Sequence, residues 1–346
     1  MPPSLSCRPH RRRPRSGRSQ RPRLPVFLAV SALLYGAAAL LAQALSLSNL
    51  LALIIAASAP YAPLASFAGL VIAIVYRQKL LAAAAAILLT TAMAVQVPWL
   101  YLGQASDARP ETTELRILSS NIQKGEADAR FFVDLATSSA DVLTVSELTA
   151  ESATRFLDAG IRKVFPYSIL NPRRNAEGMG LWSRYPLTEL PRSKHGNNFI
   201  AARVRVPGIR DDPVVAAVHL MSPVAGGANT FEKWRHRITA AKAEFTDYAE
   251  TAGPAAVIIA GDFNATADMK QFRDLLDVGY RDAVNQTGAG FMPTYSPHPW
   301  IPPVIAIDHV LTRNSAVRSI RSVDIPGSDH RALLATVALP LDPNEP

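Results

Sequence analysis

The chain has 346 residues, with 36 Lys and Arg against 28 Asp and Glu and a formal net charge of +8. Eight arginines lie between Arg8 and Arg23 and no acidic residue precedes Asp107, so the chain after residue 104, with 26 basic and 28 acidic residues, carries about −2. This balance argues against a nucleic-acid-binding surface over the whole body, although it is compatible with a local basic groove. The single cysteine, Cys7, lies in the arginine-rich tail, which excludes disulfides, a thiol nucleophile and a cysteine metal site from the rest of the chain.

Three long apolar runs occupy residues 24–102. Each is long enough to cross a bilayer, which takes about 20 residues. Pro60 and Pro63 interrupt the second run, so it is the least regular of the three. A cleavable signal peptide fits poorly, because the first run exceeds the usual length of a signal core and two more follow. We therefore predict three transmembrane helices, at about residues 24–45, 50–76 and 80–102.

Loop charge predicts how these helices are oriented. The basic tail, residues 1–23, and the short loop with Arg77 and Lys79 favour the cytoplasmic side. The tail fits a topology signal that contacts anionic lipid better than a nucleic-acid site. Three crossings then place the large C-terminal domain outside the cytoplasm, whereas two would put Arg77 and Lys79 outside, against the charge rule. We predict a multi-pass protein of the cell membrane with an extracytoplasmic main domain.

A short polar segment, residues 103–114, predicts a linker, and the main domain follows over residues 115–341. In this domain β-type runs alternate with helical ones, which predicts an α/β fold. Strands are expected at Leu115–Ser119, Val142–Val145, Gly178–Trp182, Phe199–Val206, Val214–Val218, Ala255–Ala260, Val304–Leu311 and Ala332–Ala338, and helices at Ala127–Thr137, Thr230–Glu250 and Met269–Val278.

Polar residues suited to chemistry follow four of the predicted strands. The clearest example is AAVIIAGDFNA, Ala255–Ala265, where an apolar run leads straight into Gly-Asp-Phe-Asn. A simple turn explains one such motif. Several together predict a common crevice, because strand ends define the ligand site of α/β sheets. The residues at the strand ends are Asn121, Glu147, His219 and Asp262, and two later segments add IDHV (Ile307–Val310) and SDH (Ser328–His330).

Taken in order, these motifs resemble the endonuclease/exonuclease/phosphatase superfamily, typified by deoxyribonuclease I. The resemblance covers about residues 115–340 and rests on SSNIQKG, VSEL, GLWSRYPL, VVAAVHL, IIAGDFNA, IDHV and GSDHRAL. Singly, only GDFNA and SDHR are fairly specific. The resemblance implies a four-layer α/β fold, a β-sandwich of two mainly antiparallel sheets flanked by helices, here preceded by the N-terminal transmembrane helices.

The chemistry that the resemblance implies is metal-assisted hydrolysis of a phosphate ester, with Mg²⁺ or Mn²⁺ as the cofactor. Glu147 matches the main metal carboxylate, with Asn121 as an amide-oxygen ligand and Asp329 completing the shell. Asp262 matches the residue that orients and deprotonates the attacking water. Asn264, from the same turn, matches a residue that donates to a phosphoryl oxygen.

The resemblance also assigns roles to histidines. His330 matches the histidine at the scissile phosphate, as a cation or a proton donor, and Asp308 matches the carboxylate that raises its pKa and fixes its ring. His219 matches a second histidine near the phosphate, although a structural role at a strand end fits it as well. His309 is excluded, because neighbouring strand residues face opposite sides. In one departure, Ser146 precedes Glu147 where the family commonly has Gln.

The sequence leaves the substrate open. Specificity is expected in loops at residues 222–229 and 287–303. Aromatic residues of the second loop, Phe291, Tyr295 and Trp300, could stack on bases, dip into a lipid interface or cap the core. We predict a membrane-anchored, metal-dependent phosphoesterase whose partners are the lipid bilayer and a phosphate ester, either nucleic acid or a phospholipid or inositol phosphate. A non-catalytic binding domain is the alternative, and no protein partner is predicted.

Overall fold

A computed structural model of the chain describes residues 23–104, 112–194, 196, 199–226 and 229–342. The predicted basic tail, except Arg23, and most of the predicted linker lie outside the described residues. Within these described residues, four α-helices form the N-terminal region, and two mixed sheets with five α-helices form the main domain. The N-terminal helices are α1 (Arg23–Ala44), α2 (Leu50–Ala57), α3 (Ala62–Val75) and α4 (Lys79–Tyr101).

The second predicted transmembrane run is broken rather than continuous. The helical segment Leu50–Ala57 bends by 48° from the segment Ala59–Val75. Pro60 lies at the bend, where it lacks the backbone N–H that a continuous helix would use. In the part of the chain that the structure describes, two helices, α1 and α4, are long and apolar enough to cross a membrane, and the bent pair would make a third span if it counts as one. The number of crossings and their sidedness stay predictions.

Small residues bring α1 and α3 close together. Gly36 and Ala29 of α1, and Ser66 and Gly69 of α3, are buried between the helices. A Cβ atom at Gly36 would lie 2.7 Å from the Ser66 hydroxyl, so a larger residue would push the two helices apart. Such small-residue contacts are typical of helices that pack inside a membrane. The outward faces carry large exposed apolar side chains, including Leu24, Phe27, Leu34, Leu64, Phe67 and Leu80.

The main domain contains two six-stranded sheets. One has the order β11-β12-β1-β2-β4-β3 and the other β5-β6-β7-β8-β10-β9, and each contains one parallel pair among antiparallel neighbours. The strands are β1 (Thr112–Asn121), β2 (Val142–Ser146), β3 (Tyr167–Asn171), β4 (Met179–Ser183), β5 (Leu187–Glu189), β6 (Phe199–Val204), β7 (Val214–His219), β8 (Val257–Asp262), β9 (Arg281–Asp282), β10 (Asp308–Arg313), β11 (Ala316–Asp324) and β12 (Arg331–Pro340). The helices are α5 (Ala129–Ser139), α6 (Ala150–Asp158), α7 (Thr230–Ala252), α8 (Lys270–Leu276) and α9 (Ala283–Thr287).

Three apolar clusters give this domain its four layers. The central cluster lies between the sheets and includes Ile117 from one and Ile258 from the other. On one outer side α7 packs Trp234 against the second sheet. On the other outer side Phe132 of α5 stacks on Phe156 of α6, with ring centroids 4.8 Å apart, against the first sheet. The four-layer, deoxyribonuclease I-like α/β fold that the motifs implied is therefore confirmed.

The elements that the sequence did not predict are peripheral or short. They are β3, β5, β9, β11, α6 and α9. The edge strand β3 is only partly buried, and β11 carries the exposed Arg318, so neither has the strong apolar pattern of a central strand. The predicted strand Val304–Leu311 begins only at Asp308, because Ile305 instead forms an isolated bridge with Tyr295.

Candidate active site

Strand ends from both sheets meet at one edge of the sandwich. In the second sheet, β8 pairs in register with its two neighbours, so that Asp262 lies beside His219 of β7 and beside Asp308 of β10. In the first sheet, β1 and β2 run parallel and end together at Asn121 and Ser146, which places Glu147 next to the same edge. The expected convergence of the strand ends is therefore present.

Asp262 is buried at the end of β8 and held by several donors. Its Oδ1 accepts the backbone N–H of Asn264 at 2.7 Å, and its Oδ2 accepts the side-chain amides of Asn264 and Asn121, each at 3.1 Å. Burial, and then the nearby Asp308 carboxylate, raises the pKa of Asp262 to about 6. Gly261 allows the close approach of β7, because a Cβ there would lie 1.9 Å from the Val218 carbonyl oxygen.

His330 is held by Asp308 and faces Asp262. Its Nδ1 lies 2.8 Å from Asp308 Oδ2, and its Nε2 lies 3.8 Å from Asp262 Oδ2. Burial alone would lower the pKa of His330, but the charge and hydrogen bond of Asp308 overcome it and raise this pKa to about 10. The ring therefore stays protonated at neutral pH, with Nδ1 fixed on one side and Nε2 directed to the other.

Glu147 and Asn121 come from the first sheet. Glu147 has a left-handed backbone with φ of 62°. Its Oε2 accepts the Lys124 backbone N–H at 2.8 Å, and its Oε1 accepts the Asn121 amide at 3.2 Å. The amide oxygen of Asn121 accepts the Gln123 backbone N–H at 3.0 Å. In this conformation Asn121 presents its nitrogen to the carboxylates, so coordination through its oxygen would require the amide to rotate and to release Gln123.

The remaining predicted residues lie at the same edge in different settings. His219 Nε2 is 3.8 Å from Glu147 Oε1 and 3.7 Å from Asp262 Oδ2, between the two carboxylates. The Asn264 amide donates to the Leu220 carbonyl at 2.9 Å as well as to Asp262, so it orients Asp262 in this conformation. Asp329 lines the cleft, and its pKa is raised by burial.

These residues line a cleft of about 760 Å³ that contains Glu147, His219, Asp262, Asp329 and His330. Its oxygen-rich donor set suits a hard divalent cation such as Mg²⁺ or Mn²⁺. Within the part of the chain that the structure describes, one group of acidic and histidine side chains could meet at a single ion. The group is Asp262, Asp308 and His330, with ligand atoms within 4.8 Å of one another. The set of Glu147, Asn121 and Asp329 as metal ligands stays a prediction.

His309 lies on the other face of β10, as the alternation of the strand predicts. Its Nδ1 is 2.9 Å from Asp282 Oδ2, and its Nε2 is 3.0 Å from the Ala265 carbonyl oxygen. Its ring packs on Phe272, with centroids 4.1 Å apart. Both ring nitrogens are therefore bound inside the protein.

Sequence reasoning did not assign three residues that support the site. The Tyr295 ring lies 4.9 Å from the His330 ring. Thr294 Oγ1 accepts the backbone N–H of Asp308 at 3.2 Å, and Ser328 Oγ accepts that of His330 at 3.0 Å. Ser328 stands in the SDH motif and could have been found there, whereas nothing in the sequence marks Thr294.

Residues 118–330, more than half of the chain, match the Endonuclease/Exonuclease/phosphatase family, so the chain belongs to that family. It is therefore a phosphoester hydrolase of the nuclease and phosphatase class, which generally depends on divalent metal ions. No match was found among curated protein sequences.

Solved structures share the fold at low sequence identity. The 3′ phosphatase NExo from Neisseria, bound to product DNA hairpin, matches with a TM-score of 0.51 and 16% identity over 64% of this chain and 98% of that one. An AP endonuclease from Archaeoglobus fulgidus matches with a TM-score of 0.52 and 12% identity, over 64% of this chain and 98% of that one. An endonuclease/exonuclease/phosphatase family protein from Bacteroides thetaiotaomicron matches with a TM-score of 0.50 and 11% identity, over 67% of this chain and 100% of that one. At these identities the likeness shows the fold.

Proposed function

We propose that the protein is a membrane-anchored, metal-dependent phosphoester hydrolase that works through Asp262, His330 and Asp308. One observation carries this proposal: the buried Asp262 carboxylate lies 3.8 Å from Nε2 of His330, whose Nδ1 is held by Asp308 at 2.8 Å. Burial raises the pKa of Asp262 and the Asp308 carboxylate raises the pKa of His330, so that Asp262 is placed to accept a proton while His330 is placed to donate one. Paired groups with pKa values driven apart are the signature of an acid and a base.

In the proposed reaction Asp262 orients a water molecule and takes its proton as the water attacks phosphorus. Asn264 and Asn121 keep the Asp262 carboxylate in place through their hydrogen bonds. His330, with Nδ1 fixed by Asp308, offers Nε2 to the charge on the phosphate and then protonates the leaving oxygen. His219, between Asp262 and Glu147, adds a second imidazole close to the phosphate.

The cation would be held by Glu147 together with Asp329 and the rotated amide oxygen of Asn121. When bound, it neutralises charge on the phosphoryl oxygens and polarises the phosphorus centre. The protein's own part is to hold these oxygen donors on a rigid strand edge. The family class and the carboxylate-rich cleft support this assignment.

The arrangement of the N-terminal helices supports the membrane anchor and its orientation. The ends of α1 and α4 that contact the main domain carry Gln43 and Trp99. The opposite ends carry Arg23 and Lys79, and Arg77 lies in the turn just before α4, so the described basic residues of this region lie on the side away from the domain. We infer that this basic side is cytoplasmic and the catalytic domain extracytoplasmic. Protease added to intact cells is expected to digest the domain, and full protection would contradict this topology.

The first test of the reaction uses the full chain purified in detergent, with p-nitrophenyl phosphate and bis-p-nitrophenyl phosphate as substrates. Hydrolysis is expected with Mg²⁺ or Mn²⁺ and is expected to stop with EDTA and to return with added metal. Asp262→Asn serves as the matched inactive control. A folded protein that binds Mn²⁺ and hydrolyses neither ester would refute the proposal and favour a binding domain.

A further inference from the structure

One wall of the catalytic cleft is built by the apolar N-terminal region rather than by the sandwich. The lining of the cleft includes Glu147, Asp262 and His330. It also includes residues of α2 and the turn that follows it, namely Leu53, Ile54, Ala57, Ser58 and Tyr61. The groups that would hydrolyse a phosphoester and the residues of a candidate membrane segment therefore face the same space.

Buried contacts fasten α2 to the catalytic domain. Leu53 and Ala56 belong to the same apolar cluster as Trp234 and Met269, which cover the second sheet. Just after α2, the Tyr61 hydroxyl donates to the Val304 carbonyl at 2.8 Å. Apolar burial and this hydrogen bond make α2 a built part of the cleft.

The chain before α2 is fastened as well. The Gln43 amide donates to Asp268 Oδ1 at 2.5 Å, and the Gln271 amide donates to the Leu47 carbonyl at 3.1 Å. These contacts lie at the end of α1, so both sides of α2 are tied to the sandwich. The catalytic cleft and the end of the helix bundle therefore form one structural unit.

The rim of the cleft is apolar and exposed. Ile54 of α2 and Val224 of the facing loop both line the cleft, with exposed fractions of 53% and 60%. Outside the cleft lining, Trp300 is 85% exposed and Ile301 45%, in the same loop as Val304, whose carbonyl accepts the Tyr61 hydroxyl. Exposed apolar side chains around a site mark an interaction surface, and aromatic ones favour the membrane interface. Because α2 leads directly into α3, this rim lies where the helix bundle ends.

The charges of the cleft argue against a long polyanion. Among the described residues that line it, the basic side chains are Lys124 and Arg237, apart from the two histidines. Nucleic acid is held by a series of cations along its backbone. A substrate with a single phosphate and a large apolar part suits this cleft better. The acidic residues of the lining are Glu147, Glu177, Asp262 and Asp329.

A series of contacts links the proton donor to the apolar wall. The His330 ring contacts Tyr295, and Tyr295 forms a backbone bridge with Ile305. The neighbouring Val304 accepts the hydrogen bond of Tyr61. The loop from Tyr295 to Val304 therefore contacts both His330 and the turn that follows α2.

We propose, building on the phosphoester hydrolase function above, that the substrate is a membrane glycerophospholipid. Its phosphate lies against the His330 imidazole with the attacking water on Asp262, and its acyl chains lie along Ile54 and Tyr61. The water oxygen bonds to phosphorus while the bond from phosphorus to the glycerol oxygen breaks. Asp262 takes one proton from the water, and His330 gives one to the glycerol oxygen. One water is consumed, the products are diacylglycerol and the phosphorylated headgroup, and exchange with solvent restores both side chains.

The test uses the full chain in nanodiscs that contain phosphatidylglycerol or phosphatidylcholine, with Mg²⁺ or Mn²⁺. Diacylglycerol release is measured beside hydrolysis of bis-p-nitrophenyl phosphate and of a DNA hairpin by the same preparation. We expect diacylglycerol to form, the soluble ester to be hydrolysed more slowly and the DNA to remain intact.

Two substitutions in α2 separate the cleft wall from general membrane contact. Ile54→Asn is expected to lower the ratio of lipid to soluble-ester turnover about tenfold, because a polar side chain would face the acyl chains. Leu51→Asn is the matched control, since Leu51 is exposed on the same helix but does not line the cleft. It is expected to leave the ratio unchanged. Val224→Asn repeats the test on the facing loop if Ile54→Asn does not fold.

Other results separate the two proposals. Cleavage of DNA with the lipids intact would overturn the lipid assignment and establish a nuclease. An equal decrease in the ratio of lipid to soluble-ester turnover in Ile54→Asn and Leu51→Asn would also overturn the role of the cleft wall. In both cases hydrolysis of the soluble ester would leave the phosphoester hydrolase function standing. No hydrolysis of any substrate by folded, metal-loaded protein would overturn both proposals.

Discussion

Two neighbouring residues of β10, Asp308 and His309, each form a buried histidine–aspartate pair, on opposite faces of the strand. In the cleft, His330 Nδ1 lies 2.8 Å from Asp308 Oδ2. In the interior, His309 Nδ1 lies 2.9 Å from Asp282 Oδ2. The distance from the ring Nδ1 to its aspartate oxygen is therefore nearly the same in the two pairs.

The second ring nitrogen differs between the two pairs. His309 Nε2 lies 3.0 Å from the Ala265 carbonyl oxygen, so both of its nitrogens are used to hold the fold. His330 Nε2 faces Asp262 Oδ2 at 3.8 Å in a cleft that admits a substrate. A carboxylate beside an imidazole fixes its orientation in both places. Only the cleft pair can also reach a reacting group, and this contrast can be tested.

The largest effect is expected from Asp262→Asn in the cleft. The substitution removes the group that accepts the proton of the water, so turnover of bis-p-nitrophenyl phosphate should fall about 10²–10⁴-fold. Because the pKa of Asp262 is raised by burial, its ionised form is unfavourable in the fold, and a neutral amide should preserve the thermal stability. Steady-state kinetics and thermal unfolding check this. Unchanged turnover would remove Asp262 from the reaction.

His330→Asn is expected to follow with a loss of about 10²–10³-fold in turnover, since a charged donor beside the phosphate is removed. The measurement compares the rate of hydrolysis of an ester that has a poor leaving group with the rate for an ester whose leaving group is p-nitrophenol. If His330 protonates the leaving oxygen, the substitution should slow hydrolysis of the ester with the poor leaving group more than hydrolysis of the p-nitrophenyl ester. Equal losses on both would limit His330 to stabilising charge.

Asp308→Asn tests the pair of Asp308 and His330 through the pH dependence of the rate. In the wild type the rate should rise as Asp262 loses its proton near pH 6 and fall as His330 loses its proton near pH 10. Without the Asp308 charge, the pKa of His330 should fall. The decrease in rate at alkaline pH, the alkaline limb of the pH–rate profile, should therefore move toward neutral pH. A pH–rate profile of both proteins checks this, and an unmoved limb would contradict the pairing.

The same pair also makes a signed prediction for stability. The pKa of His330 in the fold lies above its ordinary value of 6.5, so the pair stabilises the fold fully below that pH and loses its contribution as pH rises through about 10. Thermal unfolding at several pH values should show this loss in the wild type and a smaller one in Asp308→Asn.

The smallest effect on turnover is expected from His309→Asn, the interior counterpart. Loss of the bonds to Asp282 and Ala265 should destabilise the fold by about 1–3 kcal/mol, because buried partners are left unpaired. The rate per folded molecule should stay close to wild type. Urea unfolding and active-site titration check this. A large loss of rate with unchanged stability would mean that the contrast between the two faces is wrong.

Several features of this protein could be predicted from its sequence because they depend on local pattern. The central strands and the long α7 follow from apolar spacing, and the polar residues that end the strands stand out in GDFNA and SDHR. The exclusion of His309 followed from strand alternation alone. The apolar N-terminal runs were equally clear, although the bend at Pro60 was seen only as an interruption.

Other features depended on packing between distant parts of the chain. Neither Thr294 nor Tyr295 carries a local signal for the contacts that support Asp308 and His330. The weak edge strands were missed because their pairing, not their composition, makes them strands. Above all, Tyr61 and Ile54 are some two hundred residues from Asp262, yet they share its cleft. Composition alone predicts a membrane segment for α2, whereas its position against the sandwich makes it part of the candidate active-site cleft.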